Sequence, residues 1–320
     1  MSEGRDFDVI IVGGGPAGLT AGLYCARAKL NVILYEKLMP GGEILNTEWV
    51  EDYPGFELIG GPELAKKFED HARKFGLRIE LEECKEVYKE GGDVVVVTDM
   101  GVRRCGALIY CAGGHPRKLG IPGEEEFAGK GVSYCALCDG AFFQDEVITV
   151  VGGGNAAVEE GHFLTRYGSK LYLVHRRDKF RAQPILVDRL RASPKAELIL
   201  GSVVEEALGD GEGLKRVRIR NVKTGERWEL ETGGLFIFIG FVPNTHVFRD
   251  PIEKDGGGFL ITDENMQTSI PGIFTAGDCR SQLIRQITNA VGDATTAAVA
   301  AQKYLEAQEE ARKAEARAAR

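Results

Sequence analysis

Two cysteines three positions apart, Cys135 and Cys138, lie in the stretch CALCDG (135–140). Two intervening residues let the sulfurs meet within disulfide geometry in a turn or a first helical turn. Helix N–H groups at such a place stabilise a thiolate and bring its pKa to about 7 or below. Asp139 adjoins the pair and no histidine is near in sequence, so Asp139 is the candidate acid/base for thiol exchange. Half of a zinc site is a competing reading. Zinc takes four ligands, however, and no second Cys-x-x-Cys or His-x-x-x-His accompanies this one. Two inert core thiols are the better alternative; the flanking Asp and Gly favour a redox role.

Two glycine-rich turns carry a second chemistry. Gly13-x-Gly15-x-x-Gly18 follows an apolar run and opens a helical stretch, the context a dinucleotide site requires. Its glycines permit a tight turn, a close pyrophosphate and close helix–strand packing, while the helix N-terminus offers N–H groups to the phosphates. The next strand ends in Glu36, placed to accept hydrogen bonds from a ribose. An acid there repels a 2′-phosphate, so this site is predicted to hold FAD or NAD. Gly152-x-Gly154-x-x-Ala157 repeats the motif with an accepted third residue. Glu36 lies 23 residues after Gly13, and the same count from Gly152 reaches His175, followed by Arg176, Arg177 and Arg181. Cations at the ribose edge suit a 2′-phosphate through charge-assisted, often bidentate contacts. The second site is therefore predicted to prefer NADPH. One such turn alone is also an ordinary strand–helix joint; two, with opposite charges at the ribose position, are poorly explained that way.

The elements that must position these groups read as alternating strands and helices. Strands are predicted over 7–14, 31–36, 93–99, 107–114, 147–154, 171–177, 235–240 and 272–278. Helices are predicted over 16–28, from 60–62 to about 75, and from about 288 to 305. A hairpin is predicted where RVRIRN and RWELET flank residues 223–225. Hinges are predicted at 113–118 and 240–244, where Gly and Pro occur together. The charged, Ala-rich end of the chain is either a helix extension or a disordered tail.

Composition narrows the class. A length of 320 residues suits about two domains. The net charge of −8 argues against nucleic acid as the main partner. No apolar run reaches the roughly 18 residues of a membrane span. The N-terminal residues lack the basic start and cleavage site of a signal peptide, so a cytoplasmic location is predicted. Seven scattered cysteines are odd in number and argue against a secreted disulfide framework. Cys25, Cys84, Cys105, Cys111 and Cys279 read as small core residues, with Cys111 and Cys279 placed to approach a cofactor only by position.

Together these residues closely resemble the low-molecular-weight thioredoxin reductases, over about residues 7 to 305. The marks are GGGPAGLTAGLYCAR (13–27), PGGEILNTEWVEDYPGF (40–56), CALCDG (135–140), GGGNAAVEE (152–160), HRRDKFRA (175–182), IPGIFTAGDCR (270–280) and RQITNAVGDA (285–294). The resemblance implies an α/β fold of two Rossmann-like dinucleotide-binding domains, of three-layer ββα type, the second inserted in the first. Residues 1–116 and 247–320 would form the FAD-binding domain and 117–246 the NADPH-binding domain carrying the redox pair. The FAD residues it implies are Gly13, Gly15, Pro16, Ala17, Gly18, Glu36, Lys37, Gly41, Gly42, Glu43, Asn46, Val87, Gly113, Gly277, Asp278, Arg285, Gln286 and Ile287. Asp278 would bind the ribityl or phosphate region, and Arg285 and Gln286 would lie along the isoalloxazine. The NADPH residues are Gly152, Gly154, Asn155, Ala156, Ala157, His175, Arg176, Arg177, Arg181 and Gly240. No metal is expected. Departures are Glu43 and Asp52, where the family usually has Gln and Asn, Ala157 for a common Ser or Thr, and the unusual stretch from Cys111 to His115.

The activity so implied is thioredoxin-disulfide reduction in a homodimer joined through the FAD domains. Electrons would pass from NADPH to FAD, then to the Cys135–Cys138 disulfide and on to thioredoxin or a thioredoxin-like protein, with Cys138 favoured at the flavin. Nicotinamide and dithiol cannot occupy one flavin face together, so the inserted domain would have to rotate. Other readings are a flavoprotein serving a peroxide-reducing, glutaredoxin-like or ferredoxin partner, and a nucleotide-sensing scaffold. HRRDKFRA argues against ferredoxin, and an intact CALCDG against a scaffold.

Overall fold

In the strand Phe7–Val12, positions 9–12 are apolar in succession because both faces are covered there. The computed structural model describes residues 4–47 and 49–318; the first three residues, Glu48 of the 40–56 stretch and the last two residues of the tail lie outside them. Val9 and Ile11 join one core with residues of the helices Pro16–Arg27 and Ile287–Ala318. Ile10 and Val12 join another with Val87, Val94 and Val96. The strand sits inside a seven-stranded sheet. Its order is Arg78–Leu81, Val32–Glu36, Phe7–Val12, Gly101–Tyr110, Asp93–Thr98 and Cys84–Glu90, with Ile273–Thr275 also paired to Gly101–Tyr110. Pairings around Phe7–Val12 are parallel, and those of Asp93–Thr98 are antiparallel. Helices thus cover one face and an antiparallel β-layer packs on the other.

Gly101–Tyr110 begins six residues before the predicted 107. Its first half pairs antiparallel with Asp93–Thr98 and its second half parallel with Phe7–Val12. Arg103 and Arg104 hid the first half, because a charged hairpin lacks the apolar run that marks the second. The chain's last helix, Ile287–Ala318, buries Ala290, Ala294, Ala297, Ala298 and Ala301, a small-residue stripe on one face. The predicted end near 305 is exceeded: beyond Leu305 the helix continues through a mostly exposed Ala-rich segment with a Glu309–Lys313 pair. The alternative of a disordered tail is not what the described residues show.

The same architecture recurs in a second unit, Pro116–Phe241; residues up to His115 and from Val242 make the first. Its five parallel strands are ordered Val132–Ser133, Gly234–Phe238, Val147–Gly152, Lys170–His175 and Ala196–Leu200. The helices Asn155–Leu164 and Pro184–Ala192 contribute Ala157, Val158, Val187 and Leu190 to the core on one face. A three-stranded antiparallel sheet, Ser202–Asp210, Gly213–Asn221 and Arg227–Glu231, covers the other with Val204, Val217 and Ile219. The predicted hairpin is the last two of these strands. The first of them, SVVEEALGD, was not predicted; its paired acids mask the alternation. The fold is α/β with two Rossmann-like units, the second inserted in the first.

The sequence places the second crossing after 246, whereas the structure places it after Phe241. Asn244 explains the difference. Its backbone N–H donates to Gly113 O at 3.0 Å, its side-chain amide donates to Ala112 O at 2.8 Å, and its carbonyl accepts from the Tyr110 hydroxyl. Residues 242–246 are thereby tied to the first unit. On the other side of the crossing, Arg117 N–H donates to Gly240 O at 2.9 Å within the second unit.

Candidate functional sites in the two units

In the first unit, Gly18 packs where no side chain fits: a Cβ there would sit 1.8 Å from Gly13 O. Gly13 has φ +101°, a conformation that favours glycine. Gly15 differs, since a Cβ on it would meet only Gly42 Cα at 3.8 Å. Gly41 N–H donates to Gly14 O at 2.8 Å, which brings the 41–46 segment against the first glycine turn. Glu36 follows Tyr35, the register partner of Val12, and its Oε2 accepts from Gly14 N–H at 2.6 Å. Its Oε1 accepts from Leu38 N–H at 3.0 Å; Lys37 is exposed. Pro16 opens the helix, and Ala17 meets Gly277, whose added Cβ would lie 3.1 Å from Ala17 Cβ. Two glycine backbones and a helix N-terminus thus converge without side chains between them, as a pyrophosphate requires. The residues fit a bound dinucleotide.

The TAGD stretch reaches the same place through an ion pair not assigned from sequence. Arg280 grips buried Asp293 with two bonds of 3.0 Å, and Asp293 Oδ2 also accepts from Gly277 N–H at 3.3 Å. A signal for it existed: Asp293 interrupts an apolar helix face, and a buried charge needs a partner. Glu43 and Asn46 are exposed on the turn Gly42–Asn46. Ile287 packs with Ile44 and Leu64, so the start of the last helix adjoins that turn. Arg285 lies over the Phe259 ring at 4.0 Å. Gln286 O accepts from Ala290 N–H at 3.0 Å. Gly113 has φ +57°. Val87 is fully buried, with its N–H given to Val247 and its carbonyl to Arg249. Its side chain and both its backbone polar groups are thus already engaged within the first unit.

The Asp278 carboxyl is pushed up to about 6, first by burial, with Glu43 and Asp293 adding to the rise and Arg285 opposing it. In an unfolded chain an Asp titrates near ~3.9. Between these values the folded protein keeps a proton that the unfolded chain has lost. Stability from this group therefore falls as pH rises from about 4 to 6 and stays low above. In nucleotide-free protein, Asp278→Asn is expected to be more stable than the parent at pH 7, by roughly 2 kcal/mol, and no more stable at about pH 4. Calorimetry at the two pH values decides; an equal gain at both would show that the buried charge is not the cause.

The second unit repeats the turn with different chemistry. Gly152 has φ +156°, and a Cβ there would lie 2.4 Å from Phe238 O. A Cβ on Gly154 meets nothing within 4 Å, so the start of the following helix, with Asn155 and Ala156, is open. Ala157 is buried in the core and offers no hydroxyl. Val151 pairs with Val174, so His175 takes the place that Glu36 holds in the first unit. His175 is buried, lies beneath Gly153, and stacks on Phe180 at 5.3 Å. Burial lowers its pKa, as do Arg177, Arg181 and Arg176, while a bond to the Lys179 carbonyl opposes this. His175 was expected at the ribose edge; the structure makes it the floor of the turn. Arg176, Arg177 and Arg181 are exposed. Gly240 lies at the crossing, with its carbonyl engaged by Arg117.

Cys135 and Cys138 are disulfide-bonded with Cα atoms 5.4 Å apart. Cys135 caps the short helix Ala136–Asp139, and its Sγ accepts from Cys138 N–H at 3.1 Å. Buried Ser133 accepts from Cys135 N–H at 3.1 Å and donates to Asp139 Oδ2 at 2.5 Å. Ser133 was missed from sequence, where a serine two residues upstream gives no signal. Glu124, also missed, is buried; it accepts from Leu119 and Gly120 N–H and from the Tyr134 hydroxyl, and so shapes the segment leading to the pair. Among the described residues no cluster could hold a metal ion. Burial raises the free thiols, Cys25, Cys84 and Cys105 to about 12 and Cys279 to about 11, so they stay protonated. Among the described residues, no helix is long and apolar enough to cross a membrane.

Two dinucleotide-type units, one carrying a disulfide beside its glycine turn, define a class of electron-transferring proteins. Residues 7–294 match the family described as pyridine nucleotide-disulphide oxidoreductase, and the chain belongs to that family. It is 46% identical over 315 residues to a thioredoxin reductase of Listeria innocua, covering 98% of this chain and 99% of that one. It is 44% identical over 306 residues to a thioredoxin reductase of Bacillus subtilis, covering 96% and 97%. A solved thioredoxin reductase of Streptococcus pyogenes matches with a TM-score of 0.91 at 44% identity, over 94% of this chain and 98% of that one. That of Lactococcus lactis, described as the FR conformation, matches with 0.64 at 43% identity, over 94% and 99%. Identity is nearly equal in these two, so the spread of TM-scores does not follow sequence divergence.

Proposed function

We propose that the chain is an FAD-containing, NADPH-dependent reductase of the disulfide of thioredoxin or a thioredoxin-like protein. The carrying observation is the Cys135–Cys138 disulfide in the same unit as a glycine turn edged by Arg176, Arg177 and Arg181. The first glycine turn, with Glu36 at its edge, would hold FAD. A bound flavin would supply the two-electron link between a nicotinamide and a disulfide. In the reduced pair, Cys138 N–H stabilises a thiolate on Cys135, which makes Cys135 the sulfur that attacks the partner disulfide. Cys138 then attacks Cys135 and releases the partner dithiol. Asp139, held by Ser133, is placed to pass the proton to the leaving sulfur. Nicotinamide and dithiol share a unit and must reach the flavin in turn. The second unit must therefore turn about its two connections. The spread of TM-scores among relatives of equal identity supports such motion in the family.

The protein would act in the cytoplasm as a homodimer. Exposed Leu38, Met39, Trp49 and Leu58 on the first unit favour coverage by a second copy. The test is NADPH oxidation by the yellow holoprotein with a small panel of thioredoxins and glutaredoxins. Turnover is expected with oxidised thioredoxin. No disulfide-dependent oxidation with any member of the panel would reject the reading.

A further inference from the structure

The three arginines of the second unit lie on exposed chain between the strand Lys170–His175 and the helix Pro184–Ala192. Long exposed cations on a loose segment would lose much side-chain and backbone freedom on gripping a phosphate. The structure shows how that freedom is already restricted. Gly153 O accepts from Arg181 N–H at 2.8 Å and from Ala182 N–H at 3.2 Å. The Asn155 side chain completes the contact, its Oδ1 accepting from Gln183 N–H at 2.9 Å. Three consecutive N–H groups, 181 to 183, are thus fastened to the glycine turn. At the other end of the segment His175 stacks on Phe180 beneath Gly153.

We propose that Asn155 is a positioning residue for 2′-phosphate recognition: it latches the 181–183 segment to the glycine turn and so holds the arginine arm beside the nucleotide, rather than binding the nucleotide as its own main contact. This rests on the NADPH reading of the second unit. The latch acts on the arm that reads the 2′-phosphate. The pyrophosphate, common to NADP⁺ and NAD⁺, meets the turn itself. Loss of the latch therefore separates the two dinucleotides, which loss of a pyrophosphate ligand would not.

The bond can be removed from either end. Asn155→Ala deletes the acceptor. Gln183→Pro deletes the donor, and Gln183 has φ −59° and ψ 136°, already proline-like. In the full-length holoprotein, NADP⁺ and NAD⁺ are titrated and dissociation constants compared. Each single variant is expected to weaken NADP⁺ by roughly three- to tenfold, the effect of one hydrogen bond. NAD⁺ should weaken by less than about twofold, and the double variant should be no worse than either single, because both remove one interaction. Equal losses for NADP⁺ and NAD⁺, additive losses in the double variant, or no loss at all would each overturn the latch. A parent protein that does not prefer NADP⁺ would instead overturn the 2′-phosphate reading itself, and the latch with it.

Discussion

Cys138→Ser is expected to lower NADPH-driven reduction of a protein disulfide by at least roughly 10³-fold, while NADPH still bleaches the yellow protein. The split follows from where the two sulfurs sit. Cys135 Sγ accepts from Cys138 N–H, a backbone group that the substitution leaves in place. The thiolate-stabilising donor therefore survives, and Cys135 keeps its nucleophilicity. What is lost is the second sulfur, without which neither the internal disulfide nor its closure onto a mixed disulfide can form. The variant should accumulate a covalent adduct with a thioredoxin partner, seen by mass spectrometry and released by a small thiol.

Cys135→Ser separates the roles further. It removes the attacking sulfur, so turnover is lost to the same extent and no adduct forms under the same conditions. Adducts of equal yield in both variants would show that the two sulfurs are interchangeable and that the Cys138 N–H bond does not select Cys135. Disulfide turnover surviving in Cys138→Ser would reject the dithiol relay altogether. The five other cysteines are no substitutes, since four are buried and burial holds each of the five protonated.

The parts legible in the sequence were those fixed by short-range rules. Both glycine turns could be read because a tight strand–helix joint demands small residues at set positions, and the register from Gly13 to Glu36 carried over to Gly152 and His175. The parts that were not legible depend on distant partners. Asp293 becomes a keystone only when Arg280, thirteen residues earlier, folds back onto it. Ser133 gains its role only when the helix turn at Ala136–Asp139 brings Asp139 round to it. His175 shows a third kind of gap: its position in the strand was read correctly, but its direction was not. A ring that stacks on Phe180 under Gly153 supports the turn, where an acid of similar register in the first unit bonds the turn's N–H instead. Strands such as Ser202–Asp210 escaped because paired acids on one face break the apolar alternation.

That exchange of Glu36 for His175 leads to the other large effect. Arg176→Ala combined with Arg177→Ala is expected to raise the dissociation constant for NADPH by roughly 10²-fold or more, from two charge-assisted contacts each worth about 1.5–3 kcal/mol. NADH, which lacks the 2′-phosphate, should weaken by no more than about threefold, the residue of a general loss of positive potential. The neighbourhood makes the contrast large. Burial lowers the pKa of His175, which disfavours its cationic form and leaves it a poor replacement for the lost cations. Asp178, the nearest acid in sequence, is paired with Lys223 and does not neutralise the arm. Added salt should weaken NADPH binding to the parent more than to the double variant, because fewer charges remain to be screened. Titration of both nucleotides at two ionic strengths checks each point. If NADPH and NADH weaken alike in the double variant, the arginines serve the shared part of the dinucleotide, and the opposite charges at the two ribose edges have no bearing on which nucleotide each unit holds.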